Sequence, residues 1–161
     1  MTSDSADSTW LDSVSIEPMA REDLDEILTI ERLSFPSAWS RESYLRELRS
    51  RNSYYFVARL AGAVIGHAGM WTVSDEAHIS TIAVHPDHRG RGVGRLLLSR
   101  LIQLARHHHA AKVTLEVREA NHIARSLYRT FGFDEAGVLP RYYGDTGETG
   151  VIMCKVLSPP T

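Results

Sequence analysis

Three glycines and three arginines crowd into one short stretch, Arg89-Gly90-Arg91-Gly92-Val93-Gly94-Arg95, between an apolar run ending at Val84 and a leucine-rich run of helical period. The first turn of a helix leaves main-chain N–H groups without partners and carries a partial positive charge. Glycine removes the Cβ that would keep an anion away from those donors, and arginine adds charge-assisted hydrogen bonds. The chemistry this implies is phosphate binding. A Walker loop is excluded, because no lysine follows the glycines. A dinucleotide fingerprint is excluded too, because its third glycine position is Arg95. A carboxylate stands apart further along: alternation puts Val113, Leu115 and Val117 on one strand face and Glu116 on the other, off the core, as a base or as a partner for Arg118.

Other reactive residue types read blandly. His107, His108 and His109 are consecutive at a helix end and cannot share a face as ligands four apart would, so no metal is expected. His85 and His88 read as loop residues beside the glycines. Cys154 reads as a buried strand thiol, and as the only cysteine it can form no intramolecular disulfide, which suits a reducing cytoplasm.

The 161 residues suit one domain with a real core, 43% hydrophobic and 24% charged. A formal net charge of −2 argues against nucleic acid as a bulk electrostatic partner. No apolar stretch approaches the roughly 20 residues of a membrane span. Residues 1–13 read as a polar, disordered extension, residues 14–157 as the domain, and the closing Ser-Pro-Pro-Thr as a frayed end.

Positioning elements follow from period. Strands are expected from Val14, over the two runs that meet as a hairpin at Ala61–Gly62, and over Glu76 to Val84. One helix spans Arg21 to Phe35, with Leu24, Ile27, Leu28 and Glu31 at helical spacing; a second opens on the cap Ser40. The helix after the glycines runs from about Val93 to His108, with Leu97, Leu101 and Leu104 on one side. A strand holds Glu116, and a short helix is capped by Asn121 and ended by Gly132, with Ala124, Leu127, Tyr128 and Phe131 on its stripe. Two strands close the chain around a loop carrying Arg141, Tyr142 and Tyr143. The strand–helix–strand unit around the glycines needs a crossover, so its strands are parallel neighbours. The expected fold class is α/β (α+β): a mixed, mostly antiparallel sheet with a central parallel pair and helices on both faces.

The Arg89–Gly94 pattern R-x-x-G-x-G resembles the pyrophosphate loop of the GCN5-related N-acetyltransferases. "LEVREANHIARSLYRTFGF", "IERLSFPSAWS", "DEAHISTIAVHPDHRGRGVG" and "RYYGDTGETGVIMCKVL" are similar to the ribosomal-protein-alanine branch of that family, over about Val14 to Leu157. One departure is Ala38, where the family often has proline before the tryptophan, here Trp39.

The resemblance implies direct acetyl transfer from acetyl-coenzyme A, bound where the two central parallel strands splay. The loop Arg89, Gly90, Arg91, Gly92, Val93, Gly94 and Arg95 would hold the diphosphate. Main-chain groups of Ile82, Ala83 and Val84 would pair with the pantetheine arm, one N–H polarising the thioester carbonyl, and Asn121 would add a hydrogen bond. Glu116 is the implied base, with Glu76 as alternative, directly or through water. Tyr128 is the implied acid for the leaving thiolate. Phe35, Trp39, Arg141, Tyr142 and Tyr143 would border the acceptor, an N-terminal alanine of a small-subunit ribosomal protein. A monomer or weak oligomer is expected, with no nucleic acid or membrane partner.

Magnitudes bear on the acceptor. At pH 7 an α-amine of pKa near 8 costs about 1.4 kcal/mol to deprotonate, and a lysine amine about 4.6 kcal/mol. A single carboxylate suits the first better. The alternatives are a lysine or small-amine acceptor on the same fold, and a non-catalytic coenzyme-A-binding module.

Overall fold

Strict alternation and helical period together generate the element order. The computed structural model describes residues 10–157; the expected extension as far as residue 9 and the closing Ser158–Thr161 lie outside the described residues. The strands are β1 (Val14–Pro18), β2 (Ser53–Leu60), β3 (Ala63–Val73), β4 (Glu76–Val84), β5 (Lys112–Arg118), β6 (Asp134–Tyr143) and β7 (Glu148–Val156). The helices are α1 (Leu24–Ser34), α2 (Arg41–Arg49), α3 (Val93–His107) and α4 (His122–Thr130), with short 3-10 turns at Arg21–Asp23 and Pro86–His88.

The seven strands form one sheet in the order β1-β2-β3-β4-β5-β7-β6. Every neighbouring pair is antiparallel except β4 and β5. This is the expected mixed sheet, and the crossover that makes the parallel pair is α3, whose Val93, Leu97, Leu98, Leu101, Ile102 and Ala105 are buried. With Tyr128 of α4 they form the core on one face, while Leu24, Ile27, Ile30 and Tyr44 of α1 and α2 build a second core on the other. The hairpin turn is at Ala61 and Gly62, both left-handed at φ 51° and 87°, the geometry a two-residue connection between twisted strands demands.

Three local expectations are corrected. Trp10 to Asp12 are helical, and Trp10 packs on the α3-side core; an indole and Leu11 ahead of β1 bury apolar surface that a polar extension would have left in water. Arg141, Tyr142 and Tyr143 lie on the end of β6 and not in a loop. The strand carries them past a register shift between Leu139 and Tyr143, where Arg141 takes φ 55°. Cys154 is half-buried on β7, opposite Thr114, and not fully buried.

Two irregularities shape the centre of the sheet. β4 and β5 pair only from Glu76 to His78, against Lys112 to Thr114. Beyond His78 the β5-facing edge of β4 is unladdered, so the strands splay as expected. On the other edge of β4, Thr81 pairs with Gly69 and Ile79 with Met70, leaving Ser80 as a bulge. The extra residue reverses the faces: Ala77 and Ile79 belong to the α3-side core, Ala83 to the α1-side core.

Candidate active site

The glycine-arginine loop leaves β4 and enters α3. Gly90 and Gly92 take φ of 75° and 94°, which only glycine adopts without cost. Among the described residues, the N–H groups of Gly90, Arg91, Gly92, Val93, Gly94 and Arg95 donate to no acceptor; the first helical bond runs from Leu96 N–H to Gly92 O at 3.2 Å. Consecutive free donors at the positive end of a 15-residue helix form a cradle for an anion.

The three guanidinium groups do other work. Arg89 donates from Nε to Val84 O at 2.9 Å and from Nη2 to Ser34 Oγ at 3.1 Å, tying the loop to β4 and to the end of α1. Arg91 lies over Trp10 at 4.3 Å, and Arg95 over Phe131 at 5.3 Å. All three arginines remain exposed, and the main-chain N–H groups of the loop are the donors left without a protein partner. Ile82, Ala83 and Val84 pair with β3 on one side; on the splayed side no strand pairs with them, and Val84 O accepts from Arg89. Asn121 caps α4, accepting from Ala124 N–H at 3.1 Å.

Across the splay, Thr114, Glu116 and Arg118 of β5 project to the face opposite α3, as alternation requires. Glu116 Oε2 meets His78 Nε2 at 2.8 Å, and both side chains are partly open, 27% and 17% exposed. His78 Nδ1 lies 2.9 Å from Thr114 Oγ1, and Thr114 donates to Glu76 Oε1 at 3.1 Å. Glu116 and Glu76, the two acids weighed as bases, are thus the ends of one hydrogen-bonded chain. Composition and period did not single out His78 and Thr114. The signal was present: in the parallel register His78 pairs with Thr114, and alternation puts all four residues on one face.

Tyr128 is 6% exposed on α4, against Phe133 at 5.9 Å between centroids, and burial raises its pKa. It is a protonated phenol at neutral pH, able to donate. Burial pushes the pKa of Tyr143 up to about 12, helped by Tyr142, Glu116 and Glu148 and opposed by Arg118, 4.0 Å over its ring. Tyr142, half exposed, contacts Tyr143 edge-on at 5.0 Å.

Trp39 and Phe35 pack against the α1-side core. Trp39 N–H donates to Glu31 Oε2 at 3.2 Å, which fixes the loop by its backbone. The other oxygen of Glu31 accepts from Tyr44 and, at 3.4 Å, from Thr81. His67 Nε2 lies 3.5 Å away. Burial raises the pKa of Glu31 and depresses that of His67 to about 3, so an acid and a neutral imidazole share this interior. The helical stripe of α1 already placed Glu31 at a core position; its partners lie on other elements and carry no local signal. Beyond β6, Arg118, 3.0 Å from Asp145, holds that carboxyl below its ordinary range. The five residues expected to border the acceptor fall in two groups, Phe35 with Trp39 against the α1-side core and Arg141 with Tyr142 and Tyr143 on the end of β6.

A parallel strand pair that splays beside a glycine-rich helix start, in an otherwise antiparallel sheet flanked by helices, defines the N-acetyltransferase fold class. The chain belongs to the acetyltransferase (GNAT) family, whose profile matches residues 24–133, and is an acetyl-coenzyme A-dependent N-acetyltransferase. It is 36% identical to the N-alpha-acetyltransferase RimI of Mycobacterium tuberculosis over 146 residues, 87% of this chain and 90% of that one. It is 32% identical to the ribosomal protein bS18-alanine N-acetyltransferase of Escherichia coli over 146 residues, 89% and 98% of the two chains. The crystal structure of the ribosomal-protein-S18-alanine N-acetyltransferase from Escherichia coli superposes with a TM-score of 0.84 at 31% identity, covering 92% of this chain and 96% of that one.

Proposed function

We propose that the enzyme acetylates the α-amine of an N-terminal alanine on a ribosomal protein of the bS18 type. Relatives named for that activity match nearly the whole chain, and on this molecule the carrying observation is Glu116 on the open face of the splay. The free N–H row of Gly90 to Arg95 would hold the diphosphate of acetyl-coenzyme A, and the free edge of Ile82 to Val84 its pantetheine arm. Asn121 would add a hydrogen bond to that arm. Burial of the neighbouring Tyr128 keeps its proton in place for the leaving thiolate.

The acetyl group supplies an electrophilic carbonyl; the chain supplies the rest. Glu116 takes a proton from the ammonium of the acceptor, freeing the lone pair that attacks. A main-chain N–H in the Ile82–Val84 segment polarises the carbonyl oxygen. Tyr128 then protonates sulfur. Phe35 and Trp39 on one side, and Arg141, Tyr142 and Tyr143 on the other, border the peptide. A cytoplasmic setting fits both this substrate and the single thiol.

Peptides beginning in alanine and N-blocked lysine peptides, offered in parallel with acetyl-coenzyme A, decide the acceptor. Acetylation of the α-amine alone is expected. Labelling confined to the blocked lysine peptides would replace this reading with a side-chain acetyltransferase.

A further inference from the structure

His78, Thr114 and Glu76 make a chain with a definite polarity. Thr114 has a single hydroxyl hydrogen, and it is directed to Glu76 Oε1 at 3.1 Å. The 2.9 Å contact between Thr114 Oγ1 and His78 Nδ1 is then a hydrogen bond only if the ring carries its hydrogen on Nδ1. A ring with its one hydrogen on Nδ1 turns a lone pair at Nε2 toward Glu116 Oε2, 2.8 Å away. Two acceptors so close leave room for one proton between them. The 2.8 Å gap between Oε2 and Nε2 is the length of one shared-proton hydrogen bond, so a proton that Glu116 takes from an ammonium group has its next acceptor in place.

We propose that His78, Thr114 and Glu76 form a proton exit that serves Glu116, carrying the acceptor's proton from the interior of the splay to solvent. The inference rests on Glu116 as the base. The N–H bond of the ammonium breaks as the Oε2–H bond of Glu116 forms. That proton passes to His78 Nε2, and Glu116 is restored as carboxylate. The Nδ1 hydrogen moves to Thr114 Oγ1 while the former hydroxyl hydrogen moves to Glu76. Glu76, with its side chain 38% exposed and Lys112 Nζ at 3.9 Å, releases it to water. One proton enters, one leaves, and nothing is oxidised or reduced.

The register makes this route inexpensive to build. His78 and Thr114 are directly paired in the parallel ladder, within the only paired segment of β4 and β5. Trp71, 4.9 Å from the His78 ring and inclined at 32°, keeps the imidazole from swinging off the line. The place where the two strands still touch is therefore the place where the proton crosses between them. His78 and Thr114 act through Glu116 and are positioning residues.

Thr114→Val keeps the branched strand shape and deletes the hydroxyl; Thr114→Ser keeps the hydroxyl. Single-turnover acetylation of an alanine-first peptide is followed across pH for both, beside Glu116→Gln, with thermal melts confirming folding. The expected result for Thr114→Val is a loss of about tenfold, smaller than the roughly 100-fold or more of a missing general base. Its KM values stay at wild type, added imidazole restores rate, and Thr114→Ser is close to wild type. Wild-type rate and pH profile in folded Thr114→Val would overturn the exit while leaving Glu116 as base. Wild-type rate in Glu116→Gln would remove the base itself.

Discussion

The guanidinium of Arg91 lies 4.3 Å above the ring of Trp10, and the same indole is stacked on His88 with the two planes 14° apart. Leu11 completes the contact: its Cδ1 is 3.0 Å from where a Cβ on Gly92 would stand. The segment ahead of β1 thus packs against the glycine-arginine loop, and Arg91, which the sequence offers as a phosphate ligand, has its guanidinium over the indole.

Removing that support should loosen the loop. A cation–π contact of about 0.5–1 kcal/mol corresponds to about a two- to fivefold change in affinity. Trp10→Ala is expected to raise KM for acetyl-coenzyme A by that factor and to leave KM for an alanine-first peptide alone, as read from initial rates. An unchanged acetyl-coenzyme A KM would mean the loop holds its shape without Trp10.

Gly69 answers a different constraint. A Cβ there would sit 2.0 Å from Cε1 of Tyr55, inside the ring's own volume. Tyr55 is 5% exposed and cannot swing aside without opening the α1-side core. Gly69→Ala should cost about 3 kcal/mol by denaturant unfolding, the upper end of ordinary overpacking. A loss under about 0.5 kcal/mol would show that the ring relocates freely.

The interior pair of Glu31 and His67 predicts an acid sensitivity. The folded pKa of His67, about 3, lies below its unfolded value near 6.5, so its contribution to stability is complete above 6.5 and is lost as pH falls toward 3. Each unit in that window costs about 1.4 kcal/mol. Glu31 is shifted upward, so its contribution is complete below its unfolded value and is lost as pH rises through the folded one. Urea unfolding of wild type between pH 7 and 5 should therefore fall more steeply than that of His67→Leu. Parallel curves would place the imidazole in contact with water.

Tyr128 separates packing from chemistry. Tyr128→Phe retains the ring against Phe133 and removes the phenolic proton. Single-turnover transfer should slow by about 100-fold, as for loss of a general acid, with coenzyme A affinity and the melting temperature preserved. An unchanged rate returns Tyr128 to the core.

Elements were legible in the sequence because each is written in consecutive residues. The Ala61–Gly62 hairpin, the Asn121 cap and the α3 stripe all follow from local period or turn chemistry, and they are where the structure has them. The crossover rule even fixed the parallel neighbours. What was not legible depends on register. The bulge at Ser80 reverses the faces of β4, and nothing near Ser80 announces it. His78 meets Glu116 only because two strands far apart in sequence align His78 with Thr114. Arg91 looked like an anion ligand because its indole partner lies 81 positions earlier, in a segment whose composition reads as disordered.

The central claim is that Glu116 acts on a bound amine while the loop holds the cofactor independently. Glu116→Gln, assayed for acetyl transfer to an alanine-first peptide and titrated with acetyl-coenzyme A by calorimetry, tests both halves at once. The account predicts a rate lower by about 100-fold or more with the dissociation constant unchanged. Wild-type transfer by that variant would contradict it.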